Sequence, residues 1–187
     1  MRKLLAILAA MSLSVTSWGA AGWYQDYILA SVDGGGDGYY WIGSDPAFGT
    51  QFAGANFGSL TTLEFGSDMR YWGDEGGPVD TREGGAFYYR IDGGSVTEVI
   101  WTHTDIGGND WQGLAPTTVN VAQGLSDGPH TVDVWAKSWG QGLGDSELGN
   151  SGSPFSATFT VVPEPATMAL FGLGVIGVLA YRRRQQA

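Results

Sequence analysis

The chain has 187 residues, no cysteine and a formal net charge of −10, from nine basic and nineteen acidic side chains. Five of the basic residues lie at the two ends, so residues 22–162 hold four basic and eighteen acidic residues and carry −14. Such a surface repels nucleic acid and anionic lipid and favours cations. The composition therefore excludes nucleic acid as a partner, and it leaves neither disulfides nor thiolate metal sites to stabilise the fold.

The N-terminal segment has the three zones of a secretory signal peptide. Arg2 and Lys3 precede a mostly apolar run over residues 4–13, and the segment ends in Gly19-Ala20-Ala21. Small residues in this arrangement are typical of a cleavage site. We predict a signal peptide over residues 1–21, with an uncleaved anchor as the alternative. The exported part then spans residues 22–162, a length that suits one domain with its own core.

The exported part is rich in glycine and aromatic residues and shows the alternation of strands. It is clearest where Val132, Val134 and Ala136 alternate with bulkier or polar residues. This pattern predicts an all-β antiparallel sandwich, either immunoglobulin-like or a jelly roll. The predicted strands are Tyr24–Ser31, Tyr39–Gly43, Leu60–Gly66, Gly85–Asp92, Val96–Thr102, Thr117–Ala122, Thr131–Ser138 and Phe155–Val161.

The back half of this domain, residues 84–162, has a succession of turns that occurs in known modules. A Gly93-Gly94 turn joins two predicted strands, an Asp127-Gly-Pro129 turn leads into a third, and Phe155–Val161 closes the domain. In these features the segment resembles immunoglobulin and fibronectin type III modules. A jelly roll that uses the whole domain is the alternative.

Two loops carry the oxygen ligands that calcium prefers, and Asp145, Glu147 and Asn150 form a third cluster of similar side chains. Each combines acidic side chains with glycine or asparagine, although none completes an EF-hand loop. The same Asp-Gly pairs also form turns without a metal, so both interpretations stay open and Ca²⁺ is the one cofactor considered. The candidate ligands are Asp33, Asp37, Asp105, Asn109 and Asp110.

Tryptophans supply a second kind of candidate site, because a flat indole can stack on the apolar face of a sugar ring. The candidates are Trp111, Trp135 and Trp139. Trp135 lies between Val134 and Ala136, so it points outward if those two residues face the core. The alternative is that these tryptophans fill the core or cover a second sheet.

Enzyme signatures are weak in this sequence. There is no G-x-S-x-G or H-E-x-x-H motif and no nucleophilic cysteine. A glycoside hydrolase needs only two carboxylates about 5–10 Å apart, and Glu64 and Glu98 lie on predicted strands. We predict that the domain is not an enzyme, with a polysaccharide hydrolase as the less favoured alternative.

The C-terminal tail, residues 163–187, has three parts in a fixed order. Pro163-Glu164-Pro165 precedes an uncharged run over residues 166–181, and Arg182, Arg183 and Arg184 follow. We predict that residues 166–181 form a transmembrane helix, somewhat shorter than the roughly 20 residues that span a bilayer comfortably. The positive-inside rule places the arginines in the cytoplasm and the domain outside.

This tail resembles the PEP-CTERM sorting signal of Gram-negative bacteria. The resemblance implies processing by an exosortase, a membrane-embedded transpeptidase-like enzyme, and association with exopolysaccharide and biofilm matrix. We therefore predict a non-enzymatic protein of the cell surface or extracellular matrix that is exported through the inner membrane. A structural or adhesive module that binds another protein is the alternative function.

Overall fold

The computed structural model describes residues 21–43, 51–73, 82–140, 145–149 and 153–163. Within these ranges the chain forms eleven β-strands and no helix. They are β1 Ala21–Val32, β2 Asp37–Trp41, β3 Asn56–Leu60, β4 Leu63–Gly73, β5 Arg82–Ile91, β6 Thr97–Ile100, β7 Thr102–Gly107, β8 Asp110–Asn120, β9 Gly128–Gly140, β10 Ser146–Leu148 and β11 Phe155–Val161.

The strands form two sheets. The first sheet has the order β2-β1-β4-β8-β7, and the second has the order β3-β11-β9-β5-β6 with β10 paired to β9. Every described pairing is antiparallel except that of β3 with β11, which is parallel. The predicted all-β class is confirmed. Strands from the front of the chain pair with strands from the back, β4 with β8 and β3 with β11, so both halves form one sandwich.

Apolar residues from both sheets meet in a single core between them. Ile28 and Phe65 come from the first sheet, and Phe87, Val134 and Phe159 come from the second. All five are 0–1% exposed. Burying each such side chain contributes about 1.5–3 kcal/mol, so the alternating apolar positions determine which face of each strand points inward.

The chain passes from the second sheet to the first at Trp101, between β6 and β7. This indole is buried and occupies space that two glycines leave open. A Cβ built on Gly85 would lie 2.0 Å from Trp101 Cζ2, and one on Gly113 would lie 2.5 Å from Trp101 Nε1. The corner therefore depends on glycine in both neighbouring strands.

Predicted strands correspond to observed ones where apolar alternation is regular, as in β9, β11 and the hairpin of β5 and β6. The single strand predicted over Leu60–Gly66 is wrong. The chain turns at residues 61 and 62, where the Asp33 carboxylate accepts hydrogen bonds from both backbone N–H groups, each at 2.8 Å. β7 was not predicted from the sequence, because it is largely exposed and its residues do not alternate between buried and exposed positions.

The two predicted targeting segments lie mostly beyond the described residues. The signal peptide over residues 1–21 falls outside them except for Ala21, the first residue of β1. The predicted transmembrane span over residues 166–181 is also outside. Among the residues that are described, no helix is long and apolar enough to cross a membrane.

Candidate functional site

Trp135 lies on the outer face of the second sheet, as its position in the sequence predicts. Val134 and Ala136 on either side of it are fully buried, and the side chains of a strand alternate between faces. Tyr88 of β5 is directly opposite Trp135 of β9. The two rings are stacked, with centroids 5.6 Å apart and planes inclined by 12°. The outer face of β5 and β9 thus carries a stacked aromatic pair that is half-buried.

Charged side chains surround this aromatic pair, and most of them are already paired. Arg90 Nε donates to Asp133 Oδ2 at 2.7 Å, and its guanidinium carbon is 6.0 Å from the Trp135 ring centroid. Around the rings, Lys137 Nζ lies 2.6 Å from Asp145 Oδ2. Among the described residues, Arg90 and Lys137 are the two cations of this face, and each is paired with a carboxylate.

The charged side chains of this face also affect the pKa of the Tyr88 hydroxyl. It donates to Glu98 Oε1 at 2.7 Å. Burial, the hydrogen bond to Glu98 and the nearby charges of Glu98, Asp145 and Glu147 together raise the pKa of Tyr88 to about 12. Each of these carboxylates disfavours the phenolate. Among the described residues, four carboxylates and two cations lie around Tyr88 and Trp135, so this face carries a net negative charge; they are Glu98, Asp133, Asp145, Glu147, Arg90 and Lys137.

A pocket of about 250 Å³ opens beside Trp135, and we call it the Trp135 pocket. One edge is made by β5 and β9, and the other by Glu147, Gly149, Ser153 and Pro154. Its volume is slightly below the roughly 300–1,000 Å³ of pockets for drug-sized ligands. The described residues that line it are Arg90, Trp135, Glu147, Gly149, Ser153 and Pro154.

Trp139 and Trp111, the other two predicted tryptophans, have different surroundings. Trp139 shares the outer face of β9 with Trp135, about 13 Å further along the strand at 3.3 Å per residue. It packs over Gly84, where a Cβ would lie 3.1 Å from its Nε1. Trp111 is 6% exposed and belongs to the core. Its inclusion in a surface site is wrong, because its indole offers no free face to a sugar.

The predicted calcium ligands do not converge in the part of the chain that the structure describes. There, no group of three or more His, Cys, Asp or Glu side chains could hold a metal ion. Asp33 Oδ1 accepts three hydrogen bonds from Thr61 and Thr62, and Asp37 lies in β2. Asp105 caps the turn at Gly107, Asn109, with φ 63°, lies in the turn before β8, and Asp110 is the first residue of β8. Turn formation accounts for Asp33, Asp105 and Asn109.

An aromatic and polar network at the edge of the core was not predicted. Trp101 Nε1 donates to the Tyr71 hydroxyl at 3.3 Å, and that hydroxyl is 2.6 Å from His103 Nδ1. Burial raises the pKa of Tyr71 to about 12, and burial also lowers the pKa of His103. The Tyr71 hydroxyl therefore stays protonated and donates a hydrogen bond to Nδ1 of a neutral His103. Trp101 and His103 are two positions apart, but Tyr71 is about 30 positions earlier in the chain, so sequence spacing did not connect it with them.

His130, the second histidine, is held at a turn. Its Nδ1 is 2.7 Å from Asp92 Oδ2, and its Nε2 is 2.8 Å from the Ser126 carbonyl oxygen. Both partners are acceptors, so both ring nitrogens donate and the ring is an imidazolium. The hydrogen bond to Asp92 accordingly raises the pKa of His130. This arrangement ties the start of β9 to the turn after β5.

The carboxylates considered for hydrolysis lie on opposite sides of the molecule. Glu64 of β4 is on the outer face of the first sheet, because Leu63 and Phe65 on either side are buried. Glu98 of β6 is on the outer face of the second sheet, where it bonds Tyr88. The core separates the two faces, so this pair cannot flank one glycosidic bond.

Comparison with known families matches residues 161–184 to the PEP-CTERM protein-sorting motif. The match begins at Val161, the last residue of β11, and includes Pro163, Glu164 and Pro165 together with the three arginines. No curated protein matches the chain. The motif implies export and a membrane-anchored C-terminal sorting signal that is processed. The chain is therefore a secreted or surface protein whose tail directs it to an exosortase.

Proposed function

We propose that the folded domain is a non-enzymatic glycan-binding module, which associates the processed protein with exopolysaccharide at the cell surface or in the biofilm matrix. The observation that carries this proposal is the Trp135 pocket, where an outward indole lies beside polar and charged side chains. Aromatic faces together with a few polar groups are the usual lining of a small-ligand pocket. Trp139, further along the same strand, gives a polymer a second contact.

The proposal does not need calcium. The candidate ligands lie away from the outer face of β5 and β9, and Asp33 is engaged by the turn that follows β3. Chelation should therefore leave glycan binding unchanged.

A sedimentation assay tests the proposal. The processed protein is mixed with exopolysaccharide purified from the producing bacterium, with calcium or with a chelator, and the pelleted fraction is measured. The Trp135→Ala variant should lose most of the binding. Tyr39→Ala is the matched control, because Tyr39 is 58% exposed on the first sheet, away from the pocket. Equal pelleting of both variants would refute the assignment of the pocket.

A structural or adhesive module is the second candidate, favoured by the edge where β6 continues into β7. Val96, Ile100 and Ile106 are 53%, 67% and 43% exposed there. Exposed apolar side chains on edge strands are a template for pairing with another chain. If this edge is the functional surface, Ile100→Lys should abolish capture of a protein partner from the matrix, and Trp135→Ala should leave it intact.

A further inference from the structure

The ionic state of the Trp135 pocket restricts the chemical class of sugar that it can accept. Of the carboxylates around Tyr88 and Trp135, Asp133 accepts from Arg90 and from the Ser156 hydroxyl. Asp145 pairs with Lys137, and Glu98 accepts from Tyr88. Glu147 is an exposed residue of β10 that lines the pocket. It makes no hydrogen bond or close ion pair with any described residue, and Lys137, which pairs with Asp145, lies opposite it in β9. It is the one carboxylate here that a ligand can engage without breaking an existing bond.

Arg90 also lines the pocket, but its charge is compensated. Its Nε donates to Asp133 at 2.7 Å, and Asp133 is itself held by Ser156. An anionic sugar would have to compete with Asp133 for the guanidinium and would also approach Glu147. Desolvating a carboxylate next to a like charge is strongly unfavourable. The pocket therefore disfavours uronic acids and other acidic sugars.

A protonated amine would be attracted by the carboxylates that disfavour an acidic sugar. Arg90 already lies 6.0 Å from the Trp135 ring centroid, so the favourable contact for an ammonium group is Glu147 and not the ring face. Glu147 can accept a charge-assisted hydrogen bond from the same group. The carboxylates around Tyr88 and the −14 charge of residues 22–162 add long-range attraction.

We propose that the Trp135 pocket binds a hexosamine unit with a free, protonated amino group, with the sugar ring against Trp135 and the ammonium directed to Glu147. This inference rests on the proposed glycan-binding function and specifies its ligand class. It also separates two parts of recognition, since Trp135 would bind the ring of many sugars, whereas Glu147 would select the amine.

Titrations with short oligosaccharides test the proposal. The processed protein is titrated with glucosamine, N-acetylglucosamine, glucose and galacturonic acid tetramers, and tryptophan fluorescence or calorimetry gives each Kd. We expect glucosamine oligomers to bind about tenfold more tightly than their N-acetylated counterparts, a difference of about 1.4 kcal/mol. Galacturonic acid oligomers should bind most weakly. The preference for the free amine should decrease as salt concentration rises.

Two variants with the same change in net charge separate specific recognition from general attraction. Glu147→Gln should remove most of the preference for the free amine and leave glucose oligomers unaffected. Glu98→Gln changes a carboxylate of the same face that bonds Tyr88 and does not line the pocket, so it should retain the preference. An equal loss in both variants, or no preference in the unaltered protein, would overturn the choice of ligand.

The same titrations distinguish a failure of the amine preference from a failure of the proposed glycan-binding function. If Trp135→Ala abolishes binding of all tetramers but the amine gives no advantage, the pocket is a glycan site of another specificity. If no tetramer binds, or if Trp135→Ala binds as well as the unaltered protein, the proposed function fails and the inference fails with it.

Discussion

At the scale of single residues, Asp26 is the least expected feature of the fold. It is 1% exposed on the inner face of β1, opposite Met69 of β4, and its Oδ1 has no hydrogen-bond partner. Burial raises its pKa from 3.8 to about 8, although a hydrogen bond with the backbone of Arg70 lowers it somewhat. The carboxyl is therefore neutral at pH 7 in the folded protein and ionised in the unfolded chain.

Replacing Asp26 with asparagine should stabilise the protein at neutral and higher pH. Since the folded pKa is above the unfolded one, folding stability decreases as pH rises from about 4 to about 8. Asp26→Asn removes this dependence, and the gain at pH 7 should be roughly 2–4 kcal/mol. Urea unfolding at pH 4 and at pH 8 measures it. A variant that is less stable than the natural protein at pH 8 would contradict this description of Asp26.

The pair of His130 and Asp92 should contribute stability within a defined pH window. The raised pKa of His130 means that its contribution is complete below pH 6.5 and is lost as pH rises through the folded pKa. Asp92 accepts from His130 and from the Thr131 backbone, and its lowered pKa means that its contribution is lost as pH falls below 3.8. The window therefore extends from about pH 4 to above pH 6.5.

His130→Asn should be less stable than the natural protein by about 1 kcal/mol at pH 5.5. The difference should become smaller as pH rises through the raised pKa of His130, because the ring of the natural protein loses its charge there; pH 8.5 is the second condition. Comparing the two proteins at each pH by urea unfolding cancels the effect of Asp26. A difference of the same size at both values would show that packing, and not the ion pair, explains the cost.

At the scale of elements, strands whose residues alternate regularly between buried and exposed could be predicted from the sequence. Strand ends that depend on a hydrogen bond with a distant residue could not. β9 and β11 alternate strictly between buried and exposed residues, so the sequence located them and the outward direction of Trp135. The break between β3 and β4 depends on Asp33, about 28 positions earlier in the chain. A contact at that separation leaves no periodic signal in residues 60–66.

The candidate site also has one part that the sequence predicts and another that it does not. Outward placement of Trp135 could be predicted from its two apolar neighbours, and the polar neighbours of Trp111, Asp110 and Gln112, fit its inward placement by the same alternation. Tyr88, Arg90 and Glu147 could not be connected with Trp135, because pairing of β5 and β10 with β9 brings them together. The register of these strands is a tertiary property, and sequence spacing does not encode it.

The corner at Trp101 gives a prediction at this scale. Gly85→Ala would place a methyl group against Trp101 and also 2.8 Å from the Lys137 carbonyl oxygen. Because the backbone of β9 cannot shift freely, we expect a loss of about 1–3 kcal/mol in unfolding free energy, typical of overpacking. Gly94→Ala is a suitable control in the turn after β5, where a Cβ would be 3.0 Å from one carbonyl oxygen only. Equal stability of Gly85→Ala and the natural protein, measured by thermal unfolding, would contradict the close fit.

At the scale of the whole molecule, the sorting tail and the candidate site are far apart along the second sheet. The tail leaves the sandwich after Val161, which pairs with Gly128 at the start of β9. Trp135 is seven residues further along β9, about 23 Å away at 3.3 Å per residue, and Trp139 is about 36 Å away. While the tail still anchors the protein, this arrangement can hold Trp139 and the Trp135 pocket away from the bilayer.

The tail itself gives a prediction for export. Replacing both Pro163 and Pro165 with alanine should leave translocation intact and leave the protein unprocessed in the inner membrane. The two prolines keep the chain extended before the predicted span. Immunoblotting of membrane and extracellular fractions measures the shift in size and location. Normal processing of the double variant would show that the Pro-Glu-Pro segment is not needed for sorting.

The most direct test of the whole account is the fraction of processed protein that remains with the extracellular matrix of the producing cells. Cells expressing the natural protein, Trp135→Ala or Tyr39→Ala are compared after the matrix and the medium are separated. We predict that all three proteins are processed, and that only Trp135→Ala moves from the matrix to the medium. Retention of processed Trp135→Ala at the natural level would contradict glycan binding through the Trp135 pocket as the function of the domain.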